Sequence, residues 1–461
     1  MSGAIVSVQQ EVADARLNGF HMRLGIMVTL LTMFDGFDTF NPAYVIHYVM
    51  GPWGLKPAQA GLLVSSGLVG FLIGSAGHGM IADRIGRRAT LLGAIWIASL
   101  FTLATALFAG SFASFCLIRL FTGLGLGVLL PLGTTYINEL APKKVANVFT
   151  VWGVAFGWAT GGTVAGLVGV FATPVWGWRS IYYLGSLSFL LLIQLHLYLP
   201  ESVRFLALRG RHDEIRRLLA KLRPERTQIY AKARIADPVA VSAQGSLAVL
   251  LGARYRRTTL AIWASAFLVL FCIFGLSGWI PTVMMQRGET FSTSFAFGAL
   301  MQIGSFIGGL ACGWISDRRG SARAALACWW LIGAVSVFTL ALVNNHMVNL
   351  IGTAAAGIFV VGGQFVLNNA TAATYDTGVR ATGVGMELGV GRIGAILGPF
   401  VVGMLQQIHP GPLGMFVAIG LASTLAALVI GSVDLGARAP VIEIDAEARD
   451  LLAGRCMGVG S

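Results

Sequence analysis

The sequence predicts an all-α integral membrane protein with twelve transmembrane helices in two pseudo-symmetric six-helix halves, and three observations carry that expectation. Of 461 residues, 56% are hydrophobic and 11% charged, with a mean hydropathy of +0.76, whereas soluble domains are about a quarter charged. The apolar residues come in runs long enough for spans of about 20 residues, whose backbone hydrogen bonds close internally in lipid. Finally, a ten-residue phrase occurs twice: Gly79-x-x-x-Asp83-Arg84-x-Gly86-Arg87-Arg88 and, degraded, Gly313-x-x-x-Asp317-Arg318-x-Gly320. The two aspartates lie 234 positions apart (317 minus 83), about half the chain. That is the spacing of a duplication, and it makes a transporter the first expectation.

Charge and Pro/Gly punctuation divide the first half into runs near 23–50, 58–80, 89–109, 112–138, 147–171 and 178–199. The second half divides into runs near 257–285, 292–315, 324–343, 347–371, 381–405 and 411–433. The domain plan is therefore a tail (1–22), a six-helix half (23–199), a linker (200–256), a second half (257–433) and a second tail (434–461). Within the linker Ile215, Leu218, Leu219 and Leu222 repeat at helical spacing, so this stretch is expected on the membrane surface or capping the bundle.

The net charge of +12 orients the chain and requires no nucleic-acid partner. On this topology 27 of 32 Lys and Arg fall on one side, 13 of them from Pro200 through Arg257. The positive-inside rule then places both tails in the cytoplasm and the chain, multi-pass, in the cell inner membrane. Residues 1–22 are polar and the first apolar run is long, so that run is read as a span and not as a cleaved signal. Cys116, Cys272, Cys312, Cys328 and Cys456 are scattered without metal-ligand spacing. No metal or cofactor is expected.

Two carboxylates stand inside the first run, in Phe34-Asp35-Gly36-Phe37-Asp38-Thr39-Phe40-Asn41-Pro42. A central acid costs about 2.5–3.5 kcal/mol on insertion scales, and i, i+3 spacing puts Asp35 and Asp38 on one face. Such a pair is suited to passing a proton. Arg119 and Arg392 lie in apolar helices and each requires a partner, either an internal acid (Glu139 or an aspartate of the first helix) or a ligand carboxylate held by the guanidinium fork. Glu387 lies about a turn and a half before Arg392, some 140° around the helix, so the two need not pair.

The repeated phrase resembles the signature loop of the major facilitator superfamily. The resemblance implies that fold, with Asp83, Arg84, Arg87, Arg88, Asp317, Arg318 and Arg380 as gating residues and with a latch that stabilises the outward-facing state. The Asp-Gly-Phe-Asp of the first helix is similar to the aromatic acid:proton symporters of that superfamily. So are Arg119-x-x-x-Gly123-x-Gly125-x-Gly127, Tyr136-x-x-Glu139-x-Ala141-Pro142, Gly363-Gln364, Asn368-Asn369, Arg380-Ala381-Thr382-Gly383 and Gly391-Arg392-Ile393-Gly394-x-x-x-Gly398-Pro399. Pro200-Glu201-Ser202-x-Arg204 is shared with sugar carriers. Asp376 stands where the family has Pro, and Glu387 where an apolar or aromatic residue is expected.

The resemblance implies a proton-coupled importer of a small aromatic, hydroxybenzoate-like carboxylate, working as a monomer, with the proton as coupling ion and no enzymatic activity. Proton coupling is assigned to Asp35, Asp38, Glu139 and Glu387. Substrate contact is assigned to Arg119, Arg392, Tyr44, Gln364, Asn368, Asn369 and Trp158, with Trp152 and Gln302 as further wall residues. A proton-linked sugar or non-aromatic organic-acid carrier is the alternative. An exporter is disfavoured because the fifth run, Gly157-Trp158-Ala159-Thr160-Gly161-Gly162, lacks the antiporter proline. No phosphate-binding Gly-x-x-x-x-Gly-Lys-Ser/Thr loop is present for ATP-driven pumping.

Overall fold

The computed structural model describes residues 5–142, 145, 151–235, 247–376 and 378–435. The start of the fifth apolar run (147–150), Lys143, Lys144, Thr377, linker residues 236–246 and the second tail from 436 onward, Cys456 included, lie outside the described residues.

A short strand β1 (Ile5–Val6) and helix α1 (Val8–Ala13) lead into α2 (Gly19–Phe40) and α3 (Pro42–Met50), which together replace the single run expected at 23–50. The break comes from Pro42. Without an N–H it cannot bond to the carbonyl four residues back, which is that of Asp38. The first half continues with α4 (Pro57–Ile85), α5 (Arg87–Phe108), α6 (Phe112–Leu140), α7 (Gly157–Phe171) and the pair α8 (Arg179–Gly185) and α9 (Ser188–Tyr198). A π-turn, Val151–Phe156, precedes α7.

The linker folds as α10 (Val203–Leu208), α11 (His212–Leu222), α12 (Thr227–Lys232) and strand β2 (Arg234–Ile235). The second half is α13 (Arg256–Gln286), α14 (Phe291–Arg319), α15 (Ala322–Leu342), α16 (His346–Ala356), α17 (Gly363–Thr374), α18 (Arg380–Ile408) and α19 (Pro412–Gly431). A second π-turn, Gly357–Val361, joins α16 to α17 within one span. Among the described residues eleven helices are long and apolar enough to cross a membrane. The twelfth, α2, is as long as α5 but carries Arg23, Asp35 and Asp38.

Small residues let helix backbones touch where lipid offers no hydrophobic drive to associate. Inside the first half a side chain on Gly123 would sit 1.9 Å from the Gly67 carbonyl oxygen, so α6 lies directly on α4. Between the halves the close contacts gather toward the end of the bundle remote from the Asp83 and Asp317 loops. There the Ser65 hydroxyl donates to the Ile396 carbonyl at 2.6 Å. A Cβ on Gly61 would lie 2.3 Å from Pro399 O, and one on Gly403 would lie 2.4 Å from Pro57 O. Toward the loop end the same two helices part: Gly79 on α4, about five full turns beyond Gly61 and so on the same face, and Gly385 on α18 meet nothing within 4 Å. The halves are thus sealed at one end and open at the loop end.

The linker caps the first half. Ile215, Leu218, Leu219 and Leu222 are buried, in one core with Val8 and Val12 of α1 and with Leu132 and Tyr136 of α6. β1 pairs in parallel with β2. Glu11 binds Arg223 at 2.7 Å, Arg226 at 2.6 Å and the Tyr230 hydroxyl at 2.6 Å. Asn18, which caps α2, also donates to the carbonyls of Lys221 and Leu222, each at 3.0 Å.

Candidate functional site

The two intramembrane arginines occupy different surroundings. Arg119 is 2% exposed and pairs with Asp38, its Nη1 2.8 Å from Oδ1. Its Nη2 donates to the Asp38 main-chain oxygen at 2.6 Å, the carbonyl that Pro42 leaves without a helical donor. Thr102 donates to Asp38 Oδ2 at 2.6 Å and Asn41 to Oδ1 at 3.0 Å. Of the partners open to Arg119 in the sequence, the structure selects the first-helix aspartate. In this conformation both terminal nitrogens of Arg119 are engaged on Asp38.

Arg392 has no such partner. Among the described residues no carboxylate comes within ion-pair distance of it. Its guanidinium lies 3.8 Å over the Phe71 ring and 5.8 Å from that of Phe274, one ring from each half. Two acids act on it electrostatically, Asp35 from α2 and Glu387 from its own helix. Asp35 is 0% exposed and neither of its oxygens has a hydrogen-bond partner. Glu387, also 0% exposed, accepts from Gln364 Nε2 at 3.1 Å, while its Oε2 is unpartnered. Buried polar atoms without partners are rare in folded proteins, and the helices that carry these acids and their neighbours hold several more. Gln302 contributes both amide atoms, and Thr39, Ser277 and Gln364 one each.

Aromatic rings surround this centre. Trp158 meets Phe40 edge-on at 4.7 Å and Phe365 at 6.4 Å, and Phe40 stacks with Phe274 at 6.1 Å. Gln364 Nε2 donates to Asn368 Oδ1 at 2.7 Å. Asn369, one residue further and so about 100° around the helix, is exposed and stands apart from this pair. Tyr44 is also elsewhere, packed on Phe295 at the sealed end, with its hydroxyl in the space above Gly298 and Gly166. Trp152 takes part in an interaction, but nothing in the described geometry draws it to Arg392.

Glu139, grouped with the proton-coupling acids, lies instead at the loop end. It pairs with Arg87 at 3.0 Å and accepts from Ser202 at 2.5 Å, and Arg87 also donates to Ser202. Glu201 accepts from the Arg88 main-chain N–H at 3.0 Å and so caps the first turn of α5, where a carboxylate is favoured. Gly86 permits this approach: its φ is +98°, and a Cβ there would lie 2.5 Å from Glu201 Oε2. Asp83 and Arg84 are exposed, and Arg209 donates to the Arg84 carbonyl. Asp317 and Arg318 are exposed too, with Arg318 lying 4.0 Å over Trp314. Arg380 donates to the Tyr375 carbonyl at 3.3 Å, and Asp376 receives Tyr255 at 2.7 Å and Arg254 at 3.1 Å.

A family model described as Major Facilitator Superfamily matches residues 26–399. The chain belongs to the major facilitator superfamily. Its relatives in that superfamily bear out the likeness to the aromatic-acid branch. The chain is 33% identical to a gallate transporter of Pseudomonas putida, over 93% of this chain and 95% of the relative. It is 31% identical to the 4-hydroxybenzoate transporter of Pseudomonas aeruginosa, over 86% and 88%, and 28% identical to a benzoate transport protein of Acinetobacter baylyi, over 92% of each. Among solved structures the xylose transporter of Escherichia coli in an inward-open conformation superposes with a TM-score of 0.73 at 17% identity, covering 91% of this chain and 98% of that one. The likeness is one of fold. Superfamily motifs pointed to Arg392, Asp35 and the Arg87 loop, but not to Phe71, Phe274 or Thr102, which in sequence look like any residue of an apolar run.

Proposed function

We propose that this chain is a proton-coupled secondary transporter that imports a small, hydroxybenzoate-like aromatic carboxylate by alternating access. The observation that carries the reading is Arg392. It is a guanidinium with no ion-pair partner among the described residues, held between aromatic rings from both halves and under the electrostatic influence of the buried acids Asp35 and Glu387. An unpaired cation in a membrane interior is costly, and a substrate carboxylate neutralises it while the substrate ring stacks against Phe71, Phe274 or Trp158. The relatives named for gallate, 4-hydroxybenzoate and benzoate support that choice.

Bringing an anion to this centre places three carboxylates around one arginine, and a proton on Asp35 or Glu387 relieves the excess charge. Asp38 is set to follow, by exchanging Arg119 for a proton as the halves move. The excess of basic residues on that side supports a reading in which both tails and the open loop end face the cytoplasm across the inner membrane and the conformation is inward-facing. In it the Asp83 latch is undone, while Glu139, Arg87 and Ser202 hold the first half together. The division into tail, half, linker, half and tail at 22, 199, 256 and 433 and function as a monomer complete the reading.

The test is uptake of labelled 4-hydroxybenzoate into cells producing the protein, with and without an uncoupler, and with Arg392→Gln. Accumulation abolished by the uncoupler and lost in the variant is the expected result. Uptake undiminished by collapsing the proton gradient overturns symport, and uptake unchanged in the variant overturns the role of Arg392.

A further inference from the structure

Glu387 is fully buried and out of a ligand's direct reach, whereas Gln364 keeps 8% of its surface. The carboxylate therefore acts through the amide in front of it. Gln364 Nε2 has two protons, and both are committed: one to Glu387 Oε1 at 3.1 Å, the other to Asn368 Oδ1 at 2.7 Å. What remains of that amide is Oε1, which is unpartnered. Turning the Asn368 amide over brings its nitrogen within 3.1 Å of the same Glu387 oxygen. In either orientation the carboxylate receives an N–H of the amide pair, from Gln364 in the first and from Asn368 in the second, and one polar atom of Gln364 is left over.

A run of ring contacts leads from Phe365, the neighbour of Gln364, through Trp158, Phe40 and Phe274 to Arg392. Glu387 and Arg392 are five residues apart on α18, an axial rise of about 7.5 Å, so the two side chains leave the helix at different depths. Phe365, next to Gln364, belongs to the aromatic wall through Trp158. The wall thus gives an aromatic ring a surface that joins the neighbourhood of Arg392 to that of Gln364.

We infer that Glu387 is a positioning residue that fixes the Gln364 amide as a reader of a ring hydroxyl, so that the carrier selects hydroxylated aromatic acids over unsubstituted ones. A hydroxyl both donates and accepts, so it satisfies the free Gln364 atom in either orientation. A ring C–H leaves that atom buried and unpaired, the situation in which polar sites discriminate most strongly. The inference rests on the proposed function and deepens it.

The experiment is the ratio of KM values for benzoate and 4-hydroxybenzoate uptake, measured on the same preparation so that poor folding lowers transport of both acids alike. In the unaltered protein KM for benzoate is expected to be at least about tenfold higher. Glu387→Leu and Gln364→Leu should each bring the ratio to about two or below, while Glu387→Gln, which keeps an acceptor for the Gln364 amide, should retain most of it. A purely structural role shifts both KM values together. A ratio near one in the unaltered protein, or a tenfold ratio surviving both leucine substitutions, overturns the inference. If Glu387→Leu does not fold, the ratio in Gln364→Leu decides alone. Failure of the unaltered protein to take up either acid overturns the proposed function beneath it.

Discussion

Gly61→Ala tests alternating access at a single atom. In the sealed conformation the added Cβ lies 2.3 Å from the Pro399 carbonyl oxygen, 1.1 Å short of the 3.4 Å at which ordinary contact begins. Both partners are helix backbone on opposite halves, so no rotamer change relieves the clash. Overpacking of this kind costs about 1–3 kcal/mol. Only the conformation sealed at that end bears the cost, so the equilibrium shifts toward the one open there by about 5–150-fold. The assay places a cysteine at Ser65, whose hydroxyl bonds across the same seam, in a protein lacking its five native cysteines. The labelling rate with a membrane-impermeant maleimide from outside the cell is then measured. Gly61→Ala should raise that rate about fivefold or more, and Gly77→Ala, on the same helix but facing open space, should not. Unchanged labelling in a folded Gly61→Ala protein refutes the reasoning, as does equal labelling in the Gly77 control.

Other substitutions probe the remaining contacts. Arg119→Leu strands Asp38 in the membrane interior and should destabilise the protein by about 3–5 kcal/mol, with much of the loss restored in the Asp38→Leu, Arg119→Leu double variant; chemical unfolding in detergent reads both, and a double variant no better than the single contradicts the pairing. Gly86→Ala forces a side chain into a left-handed backbone and against Glu201, so a loss of about 1–3 kcal/mol is expected, read by thermal unfolding. At the sealed end Glu289 lies outside the spans. Burial raises its pKa, but hydrogen bonds from Asn349 and His346 outweigh that effect and hold it below the ordinary 4.5. A lowered carboxylate pKa adds stability that is present above the unfolded value and lost as pH falls through the folded one. Melting temperature should therefore drop below about pH 4.5, and less steeply in Glu289→Gln.

The membrane class and the two halves were legible because hydropathy, charge asymmetry and the repeated loop are properties of the chain alone. The interruptions were less so. Pro42 announced a bend in the first span, whereas nothing in the apolar composition of 357–361 announces a π-turn. The intramembrane charges could be named but not paired, since Arg119 meets Asp38 across 81 positions and only helix packing decides between that acid, Glu139 and a ligand. Asn368 and Asn369 read alike in sequence, and one step of helical rotation puts the first on Gln364 and the second at the surface. Glu201 was visible only as part of a shared motif, and its role as a cap appears once Gly86 brings the turn against it.

The clasp of Glu11 on Arg223, Arg226 and Tyr230, with Asn18 on Lys221 and Leu222, ties the leading tail and the linker helices to the first half. Instrumenting the motion is then straightforward. A fluorophore pair joining α1 to α11 serves as a fixed ruler, while a donor on α11 and an acceptor beside Ala322 record the swing of one half past the other.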